Sequence, residues 1–103
     1  MIDVDANDFV HWLVYDLPAG TTELVAGAAL PAGAKEGMAS FGPVGYGAPC
    51  PPAGPAHEYV FTLYALDEAT GLAEGATLAQ LLAAMDGQIL AQAQLSGMYA
   101  LAP

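Results

Sequence analysis

The stretch His57-Glu-Tyr-Val-Phe-Thr-Leu-Tyr-Ala-Leu66 decides the fold class of this 103-residue chain. Val60, Thr62 and Tyr64 alternate along it with a second set of side chains, and both sets are largely apolar. A strand that is apolar on both faces is typical of the interior of a sheet, where neither face meets water. We therefore predict a central strand over these residues, in a domain that is mainly β with minor α.

A second apolar run lies upstream, and a long irregular region separates the two runs. Residues Phe9–Tyr15 are aromatic or aliphatic except for one histidine, which predicts another buried strand. From Pro18 to Pro55 the chain is rich in Gly, Pro and Ala and has no sustained hydrophobic period, so we predict a structured loop region. Loops of this length in a compact domain usually carry function.

The C-terminal third predicts the helical part of the domain. Thr77 followed three residues later by Gln80 matches a capping box, which marks a helix start. Asp86-Gly87 interrupts the pattern and is expected to divide it into two helices, the second of which ends at Gly97. Residues Met98–Leu101 are predicted to form a final short strand. The apolar face of this helical segment is expected to comprise Leu78, Leu81, Leu82, Met85 and Ile89.

The charge balance is strongly acidic, with 11 Asp and Glu residues against a single basic residue, Lys35, and a net charge of -10. Proteins bind nucleic acid phosphates through Lys and Arg, so this composition excludes nucleic acid as a partner. Without arginine, a bound anion has to be held by backbone N–H groups or by histidine, tyrosine or tryptophan side chains. The length suits one domain, residues 1–103.

The remaining global signals concern location and redox state. Cys50 is the only cysteine, so an intrachain disulfide is impossible. The N-terminal residues have neither the basic nor the apolar segment of a signal peptide. The apolar runs are too short to span a bilayer. We therefore expect a cytoplasmic protein without stable membrane insertion.

Four short segments concentrate the side chains that could carry chemistry. They are Asp3-Val-Asp5, His11-Trp12, Tyr46-Gly-Ala-Pro-Cys-Pro-Pro52 and His57-Glu-Tyr59. Taken singly, a structural role is the commoner explanation for each, because a histidine in an apolar strand or a lone cysteine is usually a packed core residue. Their combination carries more information than any one of them.

The four segments fall within two longer patterns that resemble a known family. Gly45-Tyr-Gly-Ala-Pro-Cys-Pro-Pro-Ala-Gly-Pro-Ala-His-Glu-Tyr-Val-Phe61 resembles the second signature of the phosphatidylethanolamine-binding family, which includes the Raf kinase inhibitor proteins. Asp3-Val-Asp-Ala-Asn-Asp-Phe-Val-His-Trp12 resembles the first signature, Asp-Pro-Asp-x-Pro followed by a strand that carries histidine. The resemblance covers the whole chain and points to the bacterial branch.

The resemblance implies a β-rich fold with a central antiparallel sheet and a small pocket that binds an anion such as a phosphate, a carboxylate or a phospholipid head group. We expect no cofactor, and no metal site, since two His and two Asp without regular spacing do not form a metal-binding pattern. The pocket positions of the family match Asp5, His11, Tyr46, Pro52, His57 and Tyr59, with Asp3 next to them, and these seven residues are expected to bind the ligand. We expect His11, Tyr46, His57 and Tyr59 to converge with Asp5 on one pocket, walled by Pro49 to Pro52.

The sequence departs from the family pattern in three ways. Val4 and Asn7 replace the two prolines of the first signature, and Glu58 replaces the arginine of the second. The chain also begins at the first signature, whereas the family usually has further strands before it. A sandwich without those strands would expose a sheet edge and part of its core. We therefore expect a homo-oligomer, most simply a two-fold dimer, or else a fragment of a longer gene product that starts at an internal Met.

Two other functions remain open from the residues alone. The first is a small esterase, since His57, His11, Asp5 and Cys50 include the types needed for a nucleophile, a base and an orienting group. The Gly-x-Ser-x-Gly motif of serine esterases is absent from the sequence. The second is an interaction protein with a vestigial pocket, which the altered first signature favours.

Overall fold

The computed structural model describes residues 1–21, 23–24, 29–42 and 44–100. These residues form a mainly β domain with antiparallel sheets and one short helix, as predicted. In chain order, the elements are β1 (Ile2–Asp3), β2 (Phe9–Val10), β3 (Val14–Tyr15), β4 (Lys35–Glu36), β5 (His57–Leu66), α1 (Leu78–Met85) and β6 (Ile89–Tyr99).

The larger sheet has the strand order β2-β1-β5-β6 within the described residues, and every neighbouring pair is antiparallel. Strand β5 spans His57–Leu66 and lies between β1 and β6, so the prediction of a central strand is confirmed. Strand β6 pairs with it from Tyr99 back to Ile89, with one irregularity at Ala65/Leu66. The two long strands thus form an antiparallel ribbon.

The two faces of this sheet have different surroundings. Side chains alternate between the faces along each strand, and the register places Asp3 opposite both Phe9 and Tyr59. These three residues therefore share one face, here called the pocket face. Ile2 and Val10 share the other face, here called the helix face.

The core lies on the helix face. Its buried members are contributed by the segment 10–15, by the residue before the N-cap and by α1. Ile2, Tyr64 and Leu66 pack against them from the sheet. These buried residues are Val10, Leu13, Tyr15, Ala76, Leu81 and Met85.

The predicted continuous strand over Phe9–Tyr15 is wrong, because the run is divided between two sheets. Val10 ends β2, and Val14 begins β3, which pairs with β4 in a separate two-stranded sheet. The backbone N–H groups of His11 and Trp12 both donate to the carbonyl of Met1, at 2.9 and 3.3 Å. Two successive donors on one carbonyl cannot continue an alternating ladder, so the chain leaves the first sheet there.

The helix begins at the predicted capping box and ends at the predicted interruption. Thr77 is the N-cap, and Thr77 and Gln80 form both hydrogen bonds of the capping box. The helix ends at Met85, and Gly87 follows with a positive φ of 78°. No helix in the described ranges is long and apolar enough to cross a membrane.

The predicted second helix is wrong, since residues Ile89–Tyr99 form β6 and Gly97 lies inside that strand. The Ala-, Gln- and Leu-rich sequence suits a helix on propensity alone. Pairing with β5 provides hydrogen bonds for the backbone groups along one side of the strand, and this pairing overrides the helical preference. Met98 and Tyr99 are the end of β6 and not a separate strand. The predicted strand end at Leu101 lies outside the described residues.

Asp16 joins the small sheet to the loop before the helix. It has a positive φ of 57° and accepts hydrogen bonds from Lys35 Nζ at 3.3 Å and from the Thr70 backbone N–H at 2.7 Å. Burial alone would raise the pKa of Asp16, but the bonds from Thr70 and Lys35 outweigh it and lower the pKa. The ionised carboxylate therefore stabilises this junction.

Candidate functional site

A cavity of about 380 Å³ opens on the pocket face of the larger sheet. Strands β1, β2 and β5 form its floor, and the loop residues 41, 47–48 and 50–52 form its wall. This volume lies within the range of small-ligand sites. The cavity is lined by Asp3, Ala6, Phe9, His11, Phe41, Gly47, Ala48, Cys50, Pro51, Pro52, His57 and Tyr59.

Asp3 and His57 form the polar centre of the cavity. Asp3 is 3% exposed, and its Oδ2 lies 2.7 Å from His57 Nδ1. The Asp5 backbone N–H donates to the other carboxylate oxygen at 3.0 Å. Burial opposes ionisation of Asp3, but the hydrogen bonds from His57 and Asp5 prevail and lower the pKa of the carboxyl. The ionised carboxylate makes His57 Nδ1 the donor, which leaves Nε2 of that ring available.

His11 is held in the same way by a different acceptor. Its Nδ1 lies 2.9 Å from the carbonyl oxygen of Gly47, and a carbonyl can only accept, so Nδ1 carries the proton. The Gly47 N–H in turn donates to the backbone carbonyl of His11 at 2.9 Å. His11 is 8% exposed. Both histidines of the chain thus use Nδ1 for structure, and both border one cavity with Nε2 uncommitted among the described residues.

Aromatic rings surround His11. The Phe9 ring centroid lies 5.1 Å from that of His11, and the Tyr59 centroid lies 5.4 Å away in an edge-on arrangement. Phe9 also stacks on Phe41 at 6.2 Å. A Cβ at Gly47 would lie 2.0 Å from Cε1 of Phe41, so the loop can approach this ring only with glycine there. The rings give the cavity a mostly apolar wall around a few polar atoms.

Tyr59 contributes a buried hydroxyl. The residue is 3% exposed, and its Oη lies close to the Asp3 carboxylate but forms no hydrogen bond of ordinary geometry among the described residues. Burial raises the pKa of Tyr59, and the negative charge of Asp3 raises it further. The hydroxyl is therefore protonated at neutral pH and can donate a hydrogen bond.

The structure brings together most of the residues that the sequence singled out. Those lining the cavity are Asp3, His11, Cys50, Pro52, His57 and Tyr59. His11 and His57, 46 positions apart in the sequence, therefore meet on the same face of the sheet. The predicted proline wall is present from Pro51 onward, whereas Pro49 is not part of the lining.

Asp5 and Tyr46 do not line this cavity, which corrects their predicted place. Asp5 is exposed, and its Oδ2 accepts the Glu58 backbone N–H at 2.7 Å. It therefore braces the start of β5. Tyr46 packs edge-on against Trp12, with ring centroids 5.8 Å apart. The Trp12 indole N–H donates to Glu36 at 2.7 Å, which directs this aromatic pair toward the small sheet.

Sequence reasoning missed Phe9, Phe41 and Gly47 as cavity residues. Phe9 stood two positions before His11, and side chains two apart in a strand share a face, so that signal was available. Phe41 and Gly47 lie in the loop, where no periodicity relates sequence position to direction. Within the described ranges, no three or more His, Cys, Asp or Glu side chains come close enough to hold a metal ion.

Comparison with known proteins relates this geometry to one family. The family model described as phosphatidylethanolamine-binding protein matches residues 1–100. A UPF0098 protein of Aquifex aeolicus is 44% identical over 102 residues, which cover 94% of this chain and 60% of the relative. A UPF0098 protein of Methanothermobacter thermautotrophicus is 38% identical over 101 residues, covering 94% and 66%.

Solved structures agree with these sequence matches. The crystal structure of a phosphatidylethanolamine-binding protein homolog from Chlamydia trachomatis superposes with a TM-score of 0.85 at 42% identity, covering 91% of this chain and 60% of that one. Escherichia coli YbcL, described as a member of the mammalian family, superposes with a TM-score of 0.86 at 28% identity, covering 98% and 68%. The chain thus spans about 60% of the length of several curated relatives. With a family model matched over nearly its whole length and the family fold in the larger sheet, the chain belongs to the phosphatidylethanolamine-binding protein family.

Proposed function

We propose that this protein binds a small anion, such as a phosphate monoester, a phospholipid head group or a carboxylate, in the cavity on the pocket face. The observation that carries the proposal is the paired use of the two histidines. Each Nδ1 donates to a fixed protein acceptor, Asp3 or Gly47. Each ring can therefore present Nε2 as a donor to a ligand when it is protonated.

The surrounding chemistry suits one small, partly apolar anion. The Tyr59 hydroxyl is buried without a hydrogen bond of ordinary geometry among the described residues, so it can supply a further donor. The Phe9 and Phe41 rings can contact a short apolar substituent of the ligand. The Asp3 carboxylate balances one histidine cation, which limits the net positive charge of the cavity to about one unit. We therefore expect weak binding, since the net charge of -10 also repels anions at long range.

Calorimetry with methanesulfonate across the pH range tests the proposal, because this probe keeps its charge. Affinity should fall as pH rises, because only a protonated imidazole is a cation. His11→Gln and His57→Gln should each weaken binding by about tenfold, the loss of one charge-assisted hydrogen bond. Gln92→Ala, on the exposed ribbon, is the matched control and should bind like the wild type. Equal affinity in all four proteins would reject the proposal.

A second candidate function is ester hydrolysis in the same cavity. It is favoured by one observation: Asp3, His57 and Cys50 provide an orienting carboxylate, a base and a thiol around one space. The sequence suggested Asp5 as the orienting group, but in the structure Asp3 holds that position. Turnover of p-nitrophenyl acetate that Cys50→Ala abolishes would support this activity. Turnover that is absent, or unchanged in Cys50→Ala, leaves anion binding or a protein-interaction role.

Self-association and location complete the proposed picture. We propose that the protein forms a homo-oligomer, since large apolar side chains are exposed along the ribbon of β5 and β6, among them Leu63, Leu90 and Leu95. Residence in the cytoplasm stays a prediction from the sequence, and fractionation of expressing cells would test it.

A further inference from the structure

Cys50 places a free thiol on the wall of the cavity. The residue is exposed, yet it lines the same space as the buried side chains of His11 and Tyr59. The ring of Pro51 restricts the backbone of Cys50 to extended conformations, and the ring of Pro49 fixes its own φ. A stiff segment therefore presents the thiol at the rim of the cavity, and anion binding alone leaves this sulfur unused.

The Tyr59 hydroxyl points to a ligand in the cavity independently of the thiol. The side chain is 3% exposed, and its Oη forms no hydrogen bond of ordinary geometry among the described residues. A buried hydroxyl that lacks a good partner costs free energy, which an acceptor atom of a bound ligand would recover. The anionic group of a ligand would therefore lie at the buried end of the cavity, near Tyr59 and the two histidines. The rest of the ligand would extend toward Cys50 at the rim.

We propose that Cys50 exchanges with small disulfides that carry a sulfonate or a carboxylate, and that the resulting mixed disulfide closes the anion site. This inference rests on the proposed function, because the histidines would hold the anionic group while the sulfur reacts. The Cys50 thiol loses its proton to water, and its Sγ attacks one sulfur of the disulfide. A new Sγ–S bond forms, the original S–S bond breaks, and the departing thiolate takes up a proton. Cys50 is thereby oxidised, and the departing half of the reagent is reduced to a thiol.

Charge selectivity separates this reaction from the ordinary reactivity of an exposed thiol. The protein has a net charge of -10, so an exposed cysteine far from any anion site should react faster with a cationic disulfide than with an anionic one. An anion site beside Cys50 should reverse this order, because it raises the local concentration of the anionic reagent next to the sulfur.

The rates at which two disulfides of opposite charge modify Cys50 test the proposal. The anionic probe is the disulfide of 2-mercaptoethanesulfonate, and the cationic probe is cystamine. Mass spectrometry follows the mixed disulfide, and each rate is divided by the rate in the urea-unfolded protein to remove the intrinsic reactivity of the reagent. In the wild type the anionic probe should be favoured by about tenfold, as expected for one charge-assisted hydrogen bond. Excess methanesulfonate should slow this reaction.

Two variants provide the controls. His57→Gln keeps the thiol and should lose the preference for the anionic probe. Cys50→Ser combined with Ala83→Cys moves the only cysteine to the exposed side of α1 and should favour cystamine. In the wild type, modification by the anionic probe should abolish methanesulfonate binding, and reduction with dithiothreitol should restore it.

The possible outcomes distinguish this inference from the anion site on which it rests. A preference of Cys50 for cystamine, or no preference, would overturn the proposal, and so would unchanged methanesulfonate binding after modification. If the unmodified protein still bound methanesulfonate in these cases, the anion site would stand and only the role of the thiol would fall. A wild type that does not bind methanesulfonate at all would reject the proposed function and this inference with it.

Discussion

Gly47 is the residue at which the loop, the histidine and the aromatic wall meet. Its carbonyl and N–H both bond to His11, and any side chain would overlap the Phe41 ring, with a Cβ 2.0 Å from Cε1. We predict that Gly47→Ala displaces either the ring or the loop. The expected results are a loss of about 1–3 kcal/mol in unfolding free energy, as for an overpacked site, and weaker methanesulfonate binding.

The measurements for this prediction are urea unfolding and calorimetry on the same preparation. Gly20→Ala is the control, because a Cβ there meets no atom within 4 Å. If Gly47→Ala matched the Gly20→Ala variant in both measurements, the loop would not depend on the close approach of Gly47 to Phe41.

Asp3 makes the stability of the site dependent on pH. Its folded pKa is lowered from the ordinary value of 3.8, so folding favours the ionised form. The stabilisation is therefore fully present above the unfolded pKa and is lost as pH falls through the folded value. We predict that Asp3→Asn lowers the unfolding free energy by about 1–3 kcal/mol at pH 7 and by less at pH 3.

The measurement is the difference in unfolding free energy between wild type and Asp3→Asn, obtained by urea unfolding from pH 7 to pH 3. This difference separates the effect of Asp3 from that of the other acidic groups. Asp8→Asn is the control, because Asp8 is exposed and has no hydrogen bond among the described residues. A difference that stays constant over this pH range would contradict a lowered pKa for Asp3.

At the site, the residue types could be predicted from the sequence, but the directions in which their side chains point could be predicted only in part. Asp3, His11, His57 and Tyr59 stood out because their types and spacing resemble the family signatures. The partner of His57 could not be deduced, since Asp3 and Asp5 both lie on one short segment and both side chains reach β5. Asn7 and Asp8 both have positive φ values, so the chain turns sharply after Asp5. The replacement of the two signature prolines gave no indication of this turn.

Among the elements, α1 depends on its capping box more than on its length. The helix has eight residues, which is too short to be stable alone, and it places Leu81 and Met85 in the core. Thr77 and Gln80 satisfy two N-terminal backbone N–H groups, at 3.2 and 3.0 Å. We predict that Thr77→Ala lowers the unfolding free energy by about 1 kcal/mol. Urea unfolding would check this, with Thr77→Ser expected to resemble the wild type.

The elements that sequence predicted well are those whose pattern was unambiguous. Strand β5 is apolar on both faces and is bounded by turn residues, so its limits were predicted without error. The segment from Ile89 to Gly97 was assigned to a helix because Ile89 continued the helical spacing and because alanine and glutamine favour helices. The deciding contact is with β5, more than twenty residues away in the chain, and no local pattern encodes it.

For the whole molecule, the ribbon of β5 and β6 determines the shape. The radius of gyration is 14.2 Å and the extents are 44 × 28 × 25 Å, against about 13 Å for a compact domain of 100 residues. All eleven residues of β6 are exposed. The strand also has no charged residue and no proline, so it lacks the usual features that keep edge strands from pairing with other chains.

We predict that the protein self-associates through β6. The net charge of -10 opposes association at long range, but none of it lies on this strand, so two copies can approach along β6 with little local repulsion. Light scattering should give a mass of two chains at high protein concentration, and the dimer fraction should rise as salt screens the remaining repulsion.

Leu95→Lys, which places a charge at a side chain that is 73% exposed in the middle of β6, should give a monomer. Ala83→Lys adds the same charge on the exposed side of α1 and should leave the dimer intact, because the helix lies away from the edge. A single-chain mass at every concentration and salt level would contradict self-association. Equal dissociation of both variants would mean that β6 is not the interface.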